Sequence, residues 1–449
     1  MLKQQKIFFD FLRFCISSAK EIPGSLKEAD WKELYAIAKK QCLVGVLFDG
    51  IKKLPAEYVG MKKELLLQWM AESQMLEKAN VRLNDAAIQV SEWFRKKGFR
   101  TCILKGQGNA LMYPNPYSRT PGDIDIWVEG GDKRVISFVR SISPHEKACY
   151  HHIEFPSYKG VEVEVHYRPS FLLCFWHNRK LQKYYERVKE EQFSHQVMLG
   201  EQGEIAIPTM EFNLIFQLTH IYAHLMNEGI GLRQLLDYYF VVCDFYKVYQ
   251  TSTNHSASFS NHPVIFSNHP VPLFKEGSTF SPSPSSSGSG DVTALRCSEP
   301  LRYKDGGASK PSPGCAGWDR LEMSGEMSSD CAGASSAALD RVQKELKELG
   351  LWKFAGAIMY IMQEVFGMPA SRLIVPPNEQ YGKFVLNEVL EAGNFGKHDE
   401  RNRFGKSKLG HNLQRVYRDM RLMRYFPAEA LSEPIFRVWH FFWRLNNKK

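Results

Sequence analysis

Gly122-Asp123-Ile124-Asp125-Ile126-Trp127-Val128 alternates acidic and apolar side chains, and Val161-Glu162-Val163-Glu164-Val165-His166 does so again further along the chain. In an extended strand successive side chains point to opposite faces, so Asp123 and Asp125 share one face while Ile124, Ile126 and Val128 share the other. Glu162, Glu164 and His166 repeat that arrangement. Two such strands laid side by side gather several carboxylates on one face of a sheet, where their mutual repulsion calls for cations between them. Mg2+ is the natural occupant, because it takes carboxylate oxygen from a protein and phosphate oxygen from a nucleotide. The constellation therefore points toward nucleotidyl or phosphoryl transfer.

Around this pair of strands the periodicity changes several times. Residues 1–98 read as an N-terminal helical region, with helices over 31–41 and 61–97. At Gly98 the pattern shifts to a short apolar run over 99–104, then to Lys105-Gly106-Gln107-Gly108 and a turn-rich stretch through Pro114, Pro116 and Pro121. A helix is predicted over 132–141, followed by strands over 148–158 and 160–167 joined by a tight turn at 157–160. These elements imply an α+β core over 99–208 built on a small mixed β-sheet. Helices over 211–227 and 232–249 predict a helical region at 209–250. Residues 251–336 are rich in Ser, Gly and Pro and read as a disordered low-complexity insert, which also carries the direct repeat Phe259-Ser260-Asn261-His262-Pro263-Val264 and Phe266-Ser267-Asn268-His269-Pro270-Val271. A C-terminal helical region, 337–449, is predicted with helices over 352–366, 382–392, 413–424 and 433–445.

Composition narrows the class. The chain has 449 residues, 44% of them hydrophobic, enough for cores in two or three domains. Its nine cysteines include no CxxC pair, which suits a reducing compartment without structural disulfides or zinc, and a cytoplasmic protein is the expectation. The N-terminal residues mix Lys, Asp and Arg into an amphipathic pattern rather than a leader, and no segment is apolar enough to span a bilayer. The formal net charge of +9 favours anionic partners such as nucleotides, nucleic acid or a membrane surface without choosing among them, and nucleic acid is possible but not favoured as a partner.

Taken together, Leu104-Lys105-Gly106-Gln107-Gly108, Tyr113-Pro114, Arg119-Thr120-Pro121-Gly122-Asp123-Ile124-Asp125 and Val163-Glu164-Val165-His166 resemble the nucleotidyltransferase superfamily of DNA polymerase beta. More narrowly, they resemble the uncharacterised bacterial nucleotidyltransferases often encoded near polysaccharide genes. His220, His224, Arg233 and Leu235-Leu236-Asp237 resemble that family's helical segment after the core, and Gly393-Asn394-Phe395-Gly396 its later loop. The resemblance implies a nucleotidyltransferase core in which Asp123, Asp125 and Glu164 hold Mg2+, two ions in all, and act as the catalytic carboxylates. Glu164 would also help deprotonate the acceptor hydroxyl. Backbone amides at Gly106 and Gln107 would approach the phosphates of an NTP, with Lys105 and Arg119 neutralising charge there. Gln107 stands where the superfamily usually has a serine. The reaction implied is transfer of a nucleoside monophosphate from an NTP to an acceptor, which could be a sugar, small molecule, protein or RNA end, with release of pyrophosphate.

Other readings carry weight of their own. Asp-x-Asp also serves glycosyltransferases that hold a nucleotide sugar through a metal, although the helical 1–98 lacks the larger nucleotide-binding unit such enzymes place first. A catalytically inactive nucleotide-binding interaction module is the third reading. Glu162 shares a face with Glu164, so either could be the third ligand, with Glu164 preferred. His166 could orient a carboxylate or be structural. His220 and His224 sit four apart on a helix and read as core or cleft lining, while Asp237 could hold Arg233 across one turn. Arg415, Arg418, Arg421 and Arg424 read as a charged helix face, and Phe436, Trp439, Phe441, Phe442 and Trp443 as packed core.

Overall fold

Secondary structure is described, in a computed structural model, for residues 3–17, 21–200, 203–251, 329–399, 401 and 408–447. The disorder expected over 251–336 falls, for 252–328, outside the described residues, and Ser329–Glu348 is helical.

The N-terminal helices are α1 (Lys3–Ile16), α2 (Trp31–Lys40), α3 (Val44–Ile51) and α4 (Lys63–Lys96). Asp30 starts α2 by accepting the amides of Lys32 at 2.9 Å and Glu33 at 3.1 Å, a cap worth about 1 kcal/mol. α4 serves two cores. Near its start Trp69 packs against Trp31 and Tyr35, while Leu83, Ala87, Val90 and Phe94 further along lie under the sheet.

The sheet region comprises β1 (Thr101–Ile103), the short α5 (Gln107–Ala110), β2 (Ile124–Val128), α6 (Gly131–Ile142), β3 (His152–Tyr158) and β4 (Val161–His166). The strand order is β1-β2-β4-β3, with β2 and β4 parallel and the other pairs antiparallel, so the sheet is mixed as expected. Lys159 and Gly160 both take positive φ, 51° and 78°, and join β3 to β4 by a two-residue turn whose twist matches the strands. One face of the sheet is apolar: Ile124, Ile126, Val128, Val163 and Val165 pack on Phe94 of α4 and on Val135 and Val139 of α6. On the other face, Trp127 is covered by Phe193 and Phe212, at ring separations of 4.6 and 5.9 Å.

Those two rings come from α7 (Phe175–Ser194), which the sequence analysis did not anticipate, and α8 (Met210–Asn227). Between them runs a small hairpin, β5 (Gln196–Met198) and β6 (Glu204–Ala206), also unanticipated. The chain continues through α9 (Leu232–Thr251), α10 (Ser329–Glu348), α11 (Trp352–Glu364), α12 (Glu379–Ala392), α13 (Lys408–Met423) and α14 (Pro427–Asn446). The fold is α+β: helices around a small mixed sheet. No helix among the described residues is long and apolar enough to cross a membrane.

The C-terminal aromatics depart from the expectation of a packed core. Phe436 does pack, against Phe171 and Tyr150, and Trp443 packs against the sheet core, but Trp439, Phe441 and Phe442 are exposed. α14 is amphipathic, and Tyr150 with Phe171 provides apolar cover for Phe436.

A buried acidic pair lies between α13 and α14. Burial first, and then the neighbouring Glu433 carboxylate, push Asp419 up to about 7 from 3.8. An acid raised by folding contributes stability that is complete below 3.8 and is lost as the pH climbs through about 7. Melting temperature should therefore fall from pH 5 to pH 8 in the parent chain and fall less in Asp419→Asn. Equal slopes in the two proteins would contradict this.

Candidate active site

Register decides which acidic side chains meet. Asp125 pairs with Glu164, and Glu164 pairs with Glu154, so a row of carboxylates crosses β2, β4 and β3. Like charges directly opposite one another destabilise a sheet. The next row toward the strand ends is Trp127, His166 and His152, which places two imidazoles beside the acids. Asp123 immediately precedes β2, and carboxylate oxygens of Asp123, Asp125 and Glu164 all lie within 4.8 Å of one another. Glu162 is exposed and stands apart from this group, lining a neighbouring pocket.

Asp125 is nearly fully buried and has a partner on each oxygen. Lys105 Nζ lies 2.9 Å from Oδ2, and His166 Nε2 lies 3.0 Å from Oδ1. Burial alone would raise its pKa, but the Lys105 charge and the His166 hydrogen bond outweigh it and hold the carboxyl well below the usual carboxylate range. Burial opposes charge on His166 as well, yet its bonds to Asp125 and Glu164 raise it to about 9. Glu164 sits between His166, 3.4 Å away, and His152, 3.3 Å away. Burial works against its charged form, and the His166 bond still lowers its pKa. Asp123 differs: the charge of Asp125 first, then burial, raise it above its usual value. The cluster thus holds one carboxylate whose charge is not balanced, on oxygen donors of the type that suits Mg2+.

Lys105 is positioned by the end of β1, where the Leu104 amide donates to the Asp125 carbonyl at 2.9 Å. Gly106 then turns the chain with φ 57° and ψ −105°, a combination open to glycine. Lys105 Nζ also lies 2.7 Å from His220 Nε2, which in turn is 3.1 Å from His224 Nε2. Burial and the Lys105 charge push His220 well below the usual histidine value, so its neutral ring accepts a hydrogen bond from the ammonium. Both histidines therefore line the cleft. His151 and His152 extend the array on the opposite side, 3.0 Å apart. Sequence reasoning passed over these two, although carrying the alternation of β3 back to its first residue would have put His152 on the acidic face.

Of the residues expected at the phosphates, Arg119 has a partner within the protein. Arg119 is buried and makes a paired contact with Asp237, Nε to Oδ1 and Nη2 to Oδ2, both 2.8 Å. Tyr113 donates to the same carboxylate at 2.6 Å. Arg119 thus braces the chain just before Asp123, and Asp237 holds Arg119 rather than Arg233. Arg233 instead donates to the carbonyl of Thr120 at 3.1 Å, on the same short approach to Asp123. The Gln107 side chain donates to Asn84 of α4, with its own oxygen buried and unpaired, while the phosphate contact expected of Gln107 is through its backbone amide.

The Gly393-Asn394-Phe395-Gly396 loop lies away from the carboxylates. A Cβ on Gly396 would come within 2.1 Å of the Glu228 carbonyl, and one on Gly231 within 2.9 Å of Asn394, so the loop is pressed onto the α8–α9 turn. Its link to the cleft is indirect, through Phe395, whose ring is 5.1 Å from that of His224.

Beside Asp123 opens a pocket of about 520 Å³, walled by Arg82, Gly122, Asp123, Lys159, Gly160 and Glu162 among others. That volume suits a nucleotide-sized ligand. Arg82 and Lys159 give it positive charge next to the acids, and sequence reasoning singled out neither, since each is an isolated basic residue in an exposed position.

Residues 27–248 match a family described as uncharacterised nucleotidyltransferase, a span that contains every side chain of the acidic cluster together with Arg119, His220, Arg233 and Asp237. No curated protein and no solved structure matches the chain.

Proposed function

Since this chain belongs, through residues 27–248, to the nucleotidyltransferase superfamily, we propose that it transfers a nucleoside monophosphate from an NTP to an acceptor hydroxyl or phosphate in a Mg2+-dependent reaction. The observation that carries this reading is the convergence of Asp123, Asp125 and Glu164, with Asp123 left electrostatically unbalanced. In the reaction the acceptor oxygen attacks the α-phosphorus, the bond from that phosphorus to the β-phosphate bridge breaks, and pyrophosphate departs.

Asp123, Asp125 and Glu164 are the residues that would hold Mg2+, which when bound polarises phosphate oxygens and offsets their charge. Lys105, buried and charged next to Asp125, is placed to share its charge with an incoming phosphate. His166 keeps Asp125 and Glu164 oriented, in the way that supporting hydrogen bonds fix metal-binding side chains. Glu164 is the group assigned to take the acceptor proton. The pocket beside Asp123 would seat the nucleotide, with Arg82 and Lys159 along its anionic part.

The test is isothermal titration of each NTP, and of UDP-glucose, into the purified chain with and without Mg2+, alongside an Asp123→Ala, Asp125→Ala double variant. NTP binding that needs Mg2+ and disappears in the variant is the expected result. Preference for the sugar nucleotide would favour glycosyl transfer, and absence of metal-dependent binding would favour an inactive interaction module.

A further inference from the structure

A second donor cluster lies where α7 and α14 begin, built from residues that neither the acidic site nor its supports use. Cys174 is the capping residue of α7, and His177 follows three positions on, so the two side chains face each other across the first turn. The first turn of α14 meets this point, with Pro427 at its start and Glu429 just after. Glu429 is 2% exposed. Its Oε2 accepts the amides of Leu173 at 2.6 Å and Cys174 at 3.1 Å.

The other oxygen of Glu429 is the informative atom. Oε1 is buried and has no hydrogen-bond partner, and it lies 3.5 Å from His177 Nδ1. A buried carboxylate oxygen met only by this longer contact, with no hydrogen-bond donor, carries a desolvation cost that a bound cation would offset. One donor atom each from Cys174, His177 and Glu429 falls within 4.8 Å of the other two. The His177 ring is confined there by close packing, since a Cβ on Gly350 would come within 2.4 Å of it. Cys174 and His177 are only partly buried, so the cluster can be reached from solvent.

Sulfur, imidazole nitrogen and carboxylate oxygen form a donor set for zinc, and thiolate disfavours magnesium. We propose that Cys174, His177 and Glu429 bind Zn2+, with water in the remaining position, and that the ion ties the start of α14 to the start of α7. The cysteine spacing gave no sign of zinc because Cys174 and Glu429 stand 255 positions apart. The related group of Cys149, His151 and His152 is a weaker candidate, since His152 already contacts Glu164 of the acidic site.

The experiment strips the full chain with a chelator, titrates Zn2+ against a competing chromophoric chelator, and repeats this with Cys174→Ser, His177→Gln and Cys149→Ser. Co2+ is substituted in parallel, because a thiolate ligand gives it a charge-transfer band. The parent should bind one Zn2+ per chain at this site, with affinity about tenfold or more lower in Cys174→Ser and His177→Gln and unchanged in Cys149→Ser. The cobalt band should vanish in Cys174→Ser. Metal-free melting temperatures should agree between the parent and Cys174→Ser, with Zn2+ raising that of the parent alone. Failure of the parent to take up Zn2+, equal affinity in Cys174→Ser, or a band lost with Cys149→Ser instead would overturn the assignment.

Discussion

Asp123→Asn is expected to melt higher than the parent chain in EDTA while binding NTP in the presence of Mg2+ about a hundredfold more weakly. Both halves follow from one arrangement. The charge of Asp125, and then burial, raise the Asp123 pKa, and a carboxyl raised by folding stabilises the protein only while protonated. At neutral pH its charge works against the fold, and the amide of asparagine removes that cost without removing side-chain volume. Added Mg2+ should raise the melting temperature of the parent, because a ligand that binds only the folded state stabilises it, and should do so much less for the variant. A variant that melts lower than the parent in EDTA, or that keeps the full response to Mg2+, would remove Asp123 from the proposed cation site. The trade of stability against function is common where an active site gathers like charges.

The second large effect lies away from the carboxylates. Asp237→Ala should lower unfolding free energy by about 3–5 kcal/mol, the usual result of taking one partner from a buried ion pair. Arg119 is 3% exposed and would keep its charge with no carboxylate to meet it, and Tyr113 would lose the acceptor for its hydroxyl. Urea denaturation measures the loss. Replacing Arg119 and Asp237 together by Met and Leu should recover much of the stability, since an apolar pair of similar size often substitutes for a buried ion pair at little cost. It should not fully recover NTP binding, because Arg119 also sets the path of the chain that delivers Asp123. A loss below about 1 kcal/mol in Asp237→Ala, the value of an ordinary hydrogen bond, would mean that the pair is not the brace described here.

The acidic alternation in β2 and β4 was legible because a period of two is a property of the strand itself. A sheet with one covered face then follows from the apolar residues between the acids. The parallel pairing of β2 with β4, and the identity of Glu164 as the partner of Asp125, depend on register, which the strands alone leave open between Glu162 and Glu164. Arg119 looked like a phosphate contact because its partner, Asp237, lies 118 positions away. α7 was missed because its exposed positions are crowded with charged residues that obscure the buried Leu181, Tyr184, Tyr185 and Phe193. Alternation along β3 puts His152 on the face of Glu154, but that this face joins the cleft depends on the β3–β4 pairing.

Parallel pairing of β2 with β4 also governs when the acidic row can come into being. His166 meets Asp125 across 41 positions, and Lys105 meets His220 across 115. Parallel strands cannot be joined by a tight turn, so β4 reaches β2 only after α6 has crossed and β3 has folded back. Contacts of such separation form late, because the intervening chain must first give up its freedom. As the polypeptide leaves the ribosome, Asp123 and Asp125 therefore emerge as an ordinary solvated strand, without the neighbours that perturb them. The ammonium of Lys105 gains its histidine partner only once α8 has been synthesised. Affinity for divalent ions should thus be absent from nascent chains that stop before β4, and ribosome-bound intermediates would be spared the repulsion that the finished sheet must accommodate.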